Sequence, residues 1–522
     1  MHREQQPRRV DLGRRQFLKT IGTGAAAAWA AGTIAAPLAD AAQPVDGGAS
    51  DSFKRMFRLP PFAPPTDFIR GALSDMGSIG GLMDAKDDLA KGPVLLITDL
   101  SLSAGNRNSP EHTAGTTFMG QFLDHDMTFD KTSRLGFPTN PITSANARVP
   151  LFDLDSVYGG GPADTPELYS IDDPIKFRIE SGGLFEDLPR NSAKAAIIGD
   201  PRNDENLMIA GLQAACLKFH NNAVDVLRAA TPGISDFDVF FEARRLAVWH
   251  YQYIILHEFL PLFVGQPLVD TILSGGRKYY QPRDEAYIPV EFQIVYRFGH
   301  SMVRPSYRAN LKGDNGNPFF GMIFQPEGEG QADPVDLRGG ARAVRRFVGW
   351  QTFFKFPTFE ADVRPNKRID TKISTPLFNL PLATIFSGTP PLSLMTRNLL
   401  RCLTWQLPSG QAIAKAMGVA PLGESDLAEL KAFAPSFVSS TPLFYYILKE
   451  AELVEDGMRL GPVGARIVGE VFIGLLQRDP EAYINLQPNW LPTLPTFGGT
   501  PESFCMIDFL KFAGVDPATR GQ

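Results

Sequence analysis

Apolar positions recur at helical spacing along most of the chain. Between Asn206 and Ala229, the residues Leu207, Ile209, Leu212, Cys216, Phe219, Ala223 and Val226 share one broad face. Phe237 to Leu260 predicts a second long helix, which Pro261 should stop. Pro289 to Val303 predicts a third, with a proline opening it and Pro305 closing it. Ala343 to Phe354 and Leu399 to Met417 continue the pattern, the latter interrupted by Pro408. Signals for strands are few and short, and neither an internal repeat nor a composition break divides the chain. The expected fold class is therefore mainly α, a single large helical domain with few short strands.

Composition narrows this picture without changing it. The 522 residues are 43% hydrophobic, 11% aromatic and 21% charged, a globular balance. Fifty-one Lys and Arg against 57 Asp and Glu leave a net charge of −6, so no basic surface points to nucleic acid. The first 41 residues read as an address. Gly13-Arg14-Arg15-Gln16-Phe17-Leu18-Lys19 precedes a weakly apolar, Ala- and Gly-rich stretch, and Ala39-Asp40-Ala41 offers a cleavage site. This looks like a twin-arginine export signal rather than a membrane anchor, which predicts a periplasmic or extracellular protein. No later stretch is long and apolar enough for a membrane span, so the mature chain should have none. Residues 42–64 form a Pro- and Gly-rich arm. Cys216, Cys402 and Cys505 include no CxxC pair and read best as small buried residues, although one bridge is open to them in an oxidising compartment.

Four clusters carry candidate chemistry. In Gly120-Gln121-Phe122-Leu123-Asp124-His125-Asp126, Gln121 and His125 stack one helical turn apart. An imidazole beside an amide suits proton transfer to a small ligand, and it also suits a surface helix. Asp153 and Asp155, two apart in Leu151 to Gly159, can aim at one hard cation or make an Asx-turn. Arg202 and Glu205 open the long helix, where an acidic residue is ordinary capping chemistry. His300 sits in an apolar helix, in Tyr296-Arg297-Phe298-Gly299-His300, and such a histidine is commonly a satisfied core residue. Gly299 is the unusual neighbour, tolerated where something large and flat approaches the backbone.

In this order the clusters resemble the animal-type haem peroxidases of the peroxidase–cyclooxygenase superfamily, in a bacterial version. The family's GQFLDHD-like motif is matched by Gly120 to Asp126, and its aspartate-bearing loop ending in VYG by Asp153 to Gly159. Its G-D-x-R-x-x-E segment is matched by Gly199 to Glu205, and its R-[YF]-G-H motif by Arg297 to His300. Asn398 and Arg401, ahead of Leu407-Pro408, match an N-x-x-R segment. The resemblance covers residues 65–515 and leaves 516–522 as a tail.

The resemblance implies a helical domain around a buried haem, either haem b or ester-linked haem. His300 would be the iron ligand, with Asn398 accepting from its Nδ1–H. His125 would move protons of hydrogen peroxide, Arg202 would stabilise developing charge, and Gln121 would line the same cavity. Asp124 and Glu205 match carboxylates that esterify haem methyl groups. Arg297 and Arg401 match arginines near the propionates. Asp126, Asp153 and Asp155 match calcium ligands, joined by the backbone oxygens of Val149 and Leu151. The partners would be hydrogen peroxide and a small electron donor such as a halide or phenol.

Departures accompany the match. Val149 offers only its carbonyl, Asp155 stands where myeloperoxidase-like members have Ser, and Asn206 excludes a sulfonium link to haem. Leu403 to Gln406 replaces an R-D-H-G-like stretch. Two other functions compete with the peroxidase reading. A fatty-acid dioxygenase of the same superfamily needs a Tyr three residues before the iron-ligating His, where this chain has Arg297. A secreted binding or adhesion protein on the scaffold has no need of His125, Arg202 and His300 together.

Overall fold

The structure, a computed structural model, describes residues 52–181, 185–283, 285–340 and 343–520. The export signal of residues 1–41 therefore lies outside the described residues. Helices dominate, and one continuous apolar core runs through them. Seven are used below: α1 (Ala114–Met127), α2 (Leu207–Ala230), α3 (Asp236–Ile254), α4 (Val290–Val295), α5 (Leu394–Thr404), α6 (Leu443–Val454) and α7 (Pro462–Arg478). The strands make three two-stranded antiparallel ribbons. Asn108–Thr113 pairs with Pro365–Lys367, Ser306–Asp314 with Asn317–Met322, and Glu180–Ser181 with Glu186–Asp187. Among the described residues no helix is long and apolar enough to cross a membrane.

Helix α1 is the buried centre of the molecule. Gly115 lets it approach the segment that carries Phe354, because a Cβ there would meet the Phe354 ring at 2.5 Å. Thr117 Oγ1 donates to Asn366 Oδ1 at 2.6 Å, a buried polar contact that fixes the helix's rotation. Helix α2 begins where Asn206 accepts from Ile209 N–H at 2.9 Å. It packs along α1 and α3, so the residues just before it face the polar side of α1. Helices α4, α5, α6 and α7 pack on one another.

Three expected helices come out differently. The second long run does not stop at Pro261. Helix α3 passes through a wide π turn at Ile255–Phe259 and resumes as Leu260–Val264, ending at Gly265 with φ +83°. Pro261 stands in the first turn of the resumed helix, where a missing N–H costs no ladder bond. The third run is broken into α4, a 3₁₀ turn at Tyr296–Phe298 and a short helix Gly299–Met302. Ala343 to Phe354 is not an α-helix. Gly349 N–H donates to Ala309 O at 2.8 Å and Thr352 Oγ1 to Arg308 O at 2.8 Å, so the segment lies along a strand. Only Trp350–Thr352 keeps a 3₁₀ turn. The stretch from Leu399 divides as expected around Pro408, into α5 and Gly410–Met417.

The described part of the arm, residues 52–64, is built into the core. Phe53, Phe57 and Phe62 are buried, and Arg55 donates to Trp405 O at 2.6 Å and to Gln406 O at 3.2 Å. At the other end Arg520 donates to both oxygens of Glu186, at 2.8 and 2.5 Å. Cys216, Cys402 and Cys505 are all unbridged.

Candidate active site

Six described histidines can be sorted by what their ring nitrogens touch. His112 bonds Met458 O and Asn366, His220 bonds Ile175 O and Tyr158, and His250 bonds Leu246 O and two backbone N–H groups. Those three are satisfied core residues. His257 is exposed, stacked on Tyr253 and bonded to Tyr483. His125 and His300 differ. Each engages its Nδ1, and neither Nε2 has a hydrogen-bond partner among the described residues. Burial first, and then a nearby arginine, Arg202 or Arg297, holds each imidazole down at about 3. Both are therefore neutral near pH 7, each with a nitrogen to spare.

On the α1 side, His125 Nδ1 meets Asn203 Oδ1 at 2.8 Å, and Asn203 Nδ2 donates to Gln213 Oε1 at 2.8 Å. With Asn203 accepting, the His125 proton sits on Nδ1 and the Nε2 lone pair is left as a base. Gln121, one turn earlier, donates to Glu205 Oε2 at 3.1 Å and accepts from Asn206 Nδ2 at 3.0 Å. Burial pushes the Glu205 carboxyl up to about 8, and it also raises Asp124. Arg202 lies over the Phe129 ring, donates to His125 O at 3.1 Å and forks onto Asp200 at 3.0 and 2.8 Å. Asp200 is fully buried, which works against its charge. Arg202's hydrogen bonds overrule that and hold it at about 2.

Across from these residues, Arg297 Nη1 donates to Asn398 Oδ1 at 3.0 Å, and Asn398 Nδ2 stands 2.8 Å from His300 Nδ1. This reverses the expected direction, in which Asn398 accepts from His300. A guanidinium can only donate, so Arg297 claims the amide oxygen and turns the NH₂ toward the imidazole. Arg401 ion-pairs with Asp130 and also meets Ser133. The tyrosine ahead of Arg297 is spent elsewhere, since Tyr296 OH donates to Gly120 O at 3.0 Å.

These side chains come together in the interior. Gln121, Asp124, Arg202, Glu205, Arg297 and His300 lie deep in the molecule, yet each keeps some open surface. His300 feels the charge of His125, and Asp124 feels both Arg202 and Arg297, so the two sides face each other. At Gly299 a Cβ would meet nothing nearer than Met302 Cε at 4.0 Å. An open space beside the backbone, two imidazoles with free Nε2 atoms and cations beside buried carboxylates fit an iron porphyrin with propionates.

The loop that carries Asp153 and Asp155 sits directly behind α1. Leu154 takes φ +60°, which tightens the loop before the short helix Asp155–Tyr158. Asp126, Asp153 and Asp155 bring carboxylate oxygens within 4.8 Å of one another. Asp155 Oδ1 is buried without a hydrogen-bond partner, an orphaned acceptor that fits a hard cation. Val149 joins through its N–H, which donates to Asp155 Oδ2 at 3.2 Å, while its carbonyl accepts from Leu151 N–H at 2.8 Å. Asp126 is already well supplied. It accepts from Leu154 N–H, Ser156 N–H, Ser156 Oγ and Tyr251 OH at 2.8 to 3.3 Å, which uses its four lone-pair positions. Of the three, Asp153 and Asp155 have the freer oxygens.

Sequence reasoning missed Asn203, Gln213, Asp130 and Arg148. Asn203 stood in view, within a run of polar residues leading into an apolar helix, but nothing in the pattern aimed it at His125.

Comparison with known proteins bears on this constellation. Residues 131–328 match the animal haem peroxidase family. The matched span holds Asp153, Asp155, Arg202, Glu205 and His300, while α1 and Asn398 lie outside it. A peroxidase of Caenorhabditis elegans, mlt-7, is 32% identical over 157 residues, covering 28% of this chain and 21% of that protein. The curated relatives are matched over only 7% to 23% of their own lengths. The likeness to the animal haem peroxidases is thus carried by residues 131–328 and by short stretches of the curated relatives. Peroxidase A of Dictyostelium discoideum shares the fold, with a TM-score of 0.57, 18% identity, and coverage of 84% of this chain and 88% of that one. A fatty acid alpha-dioxygenase of Oryza sativa also shares it, with a TM-score of 0.55, 14% identity, and coverage of 89% and 79%.

Proposed function

We propose that the chain is an exported, bacterial haem peroxidase that reduces hydrogen peroxide and oxidises a small donor such as a halide or phenol. The observation that carries this reading is the pair of deeply placed imidazoles, His125 and His300, with engaged Nδ1 atoms and unbonded Nε2 atoms, close enough to feel each other's charge. Bound haem supplies the two-electron redox chemistry. His300 would hold the iron through Nε2. A ligand role leaves the His300 proton on Nδ1, which needs an acceptor, so the Asn398 amide would turn and Arg297 would find a propionate instead. Arg401 would serve the same end. Asp124 and Glu205 are the carboxylates available for ester links.

The chain's own residues handle the peroxide. The His125 lone pair takes a proton from the bound peroxide and returns it to the leaving oxygen. Asn203 keeps that nitrogen aimed inward. Arg202 stabilises negative charge as the O–O bond breaks, and Gln121 lines the cavity beside it. The dioxygenase alternative lacks support at its own key position, because Arg297 stands there and the Tyr296 hydroxyl is bonded to Gly120 O.

We also propose calcium at the loop of Asp126, Asp153 and Asp155 with the backbone oxygens of Val149 and Leu151. Asp153 and Asp155 offer the freer oxygens, and Asp126 would join by giving up the hydroxyl of Ser156 or Tyr251. Asp126 adjoins His125, so the ion should hold the base in register. Asp126→Ala should lower peroxide reactivity about tenfold or more and weaken haem retention. Unchanged values for both would remove the coupling.

An absorption spectrum of the purified protein, before and after adding hydrogen peroxide, tests the main reading. The expected result is a ferric Soret band that shifts with peroxide and returns with a phenolic donor. A folded, monodisperse chain that shows no Soret band after haem is supplied would overturn it.

A further inference from the structure

Behind Arg202 the charges alternate in a short buried series. Arg202 forks onto Asp200. On its far side, Asp200 Oδ2 lies 3.2 Å from Arg148 Nε, and Arg148 Nη1 lies 3.5 Å from Asp155 Oδ2 in the cation loop. Asp200 is wholly buried, and Arg148 and Asp155 are nearly so, at 13% and 17% side-chain exposure. The series is not saturated. Arg148 Nε and Asp155 Oδ1 are both buried without a hydrogen bond, so the guanidinium sits between two carboxylates and is fully committed to neither. The backbone presses in the same direction. A Cβ at Gly199 would meet Ser156 O at 2.5 Å, so the segment carrying Asp200 rests directly on the loop. A cleft of about 330 Å³, lined by Arg148, Asp155, Glu167 and Gly199 among others, opens this junction to solvent.

We propose that Arg148 is a positioning residue that couples cation occupancy of the loop to the setting of Arg202. The inference rests on the peroxidase reading and goes beyond it. A divalent cation on Asp153 and Asp155 draws the Asp155 carboxylate away from Arg148. The guanidinium is then left with Asp200 as its anionic partner. Two arginines share that carboxylate, so its hold on Arg202 relaxes and more of the Arg202 charge is available to a ligand in the cavity. The sign follows: calcium tightens binding of a small ligand beside Arg202, and by linkage that ligand tightens calcium by the same factor. Arg148 also competes with the cation for Asp155, so its removal strengthens calcium binding while weakening the coupling.

The test uses the haem-loaded protein and cyanide as the probe, titrated with saturating calcium and after chelation. Calcium affinity is measured in parallel by calorimetry. Wild type should show a coupling factor of about five or more. In Arg148→Ala that factor should fall by about threefold or more, and calcium should bind more tightly. Arg148→Lys keeps the charge but loses the fork that spans both carboxylates, so calcium affinity should stay near wild type while coupling falls. The neighbouring Asp126–His125 route is untouched by either variant and accounts for any remainder.

Equal coupling in wild type and both variants overturns the proposal, as does its absence from wild type. A variant in which calcium binding and coupling weaken together also overturns it, because general loosening would do that. A preparation with no Soret band overturns the peroxidase reading instead, and this inference falls with it. A normal Soret band with unchanged coupling overturns only the inference.

Discussion

Burying an imidazole with one bare nitrogen leaves a polar atom without its water, at a cost of about 1–3 kcal/mol. His112, His220 and His250 avoid that cost by bonding both nitrogens. His125 and His300 instead leave Nε2 unbonded, and neither atom is among the buried orphans, so each keeps access to open space. This separates them more sharply than any motif. The motif spacing made both legible in the sequence, together with Gln121, Glu205 and Asn398. Asn203 was not legible, because its contact with His125 spans 78 residues and exists only once α2 packs on α1. Asn203→Ala should slow the reaction with peroxide about tenfold by freeing the ring, and Asn203→Asp should recover most of the rate because it still accepts from Nδ1–H. Stopped-flow traces at the Soret band would separate the two, and equal rates would refute the orienting role. Gly299→Val asks a steric question. The space beside Gly299 is open, so the chain should fold with a melting temperature near wild type while haem content collapses. Full haem content in that variant would place the porphyrin elsewhere.

At the scale of elements, local chemistry predicted helices well and their interruptions poorly. Pro261 was expected to stop a helix, but the π turn Ile255–Phe259 absorbs the mismatch and the helix runs on. Ala343 to Phe354 carries helical periodicity, yet its backbone bonds go to a strand, a tertiary choice that periodicity does not encode. The π turn has a thermodynamic signature through Glu258, which accepts from Met506 N–H at 2.7 Å. Burial pushes the Glu258 carboxyl up to about 7, from an ordinary value of 4.5. The folded chain therefore holds this proton more firmly than the unfolded chain does. The stabilisation is complete below pH 4.5 and is lost as pH rises through about 7. Glu258→Gln does not ionise, so it should gain on wild type by about 1–2 kcal/mol between about pH 5 and 8, with the half-buried position limiting the effect. Urea midpoints that stay parallel across that range would refute the shift.

Over the whole molecule, the site is assembled from segments distant in sequence around one core, with α1 at its centre. Helix content and a single domain were readable from pattern alone. The part played by residues 52–64 was not, since a stretch rich in proline gives no sign that its three phenylalanines are core residues. Phe62→Ala should destabilise the chain by about 3–5 kcal/mol, because it empties a buried site against Phe437. A loss under about 1 kcal/mol in a denaturant titration would mean that the segment is only laid on the surface.

That segment also sets an order of events. Arg55 docks on Trp405 and Gln406, which lie 350 and 351 positions further along, and Phe62 O accepts from Ser440 Oγ across 378. A ribosome adding about 5–20 residues per second needs roughly 20–70 s to supply those partners. For that interval the earliest synthesised part of the core has nothing to close against, and its aromatic side chains are available to chaperones. The beginning of the core is thus among the last parts of it to be completed, and emergence of the segment from Trp405 to Ser440, rather than of the first helices, sets when that part of the core can close.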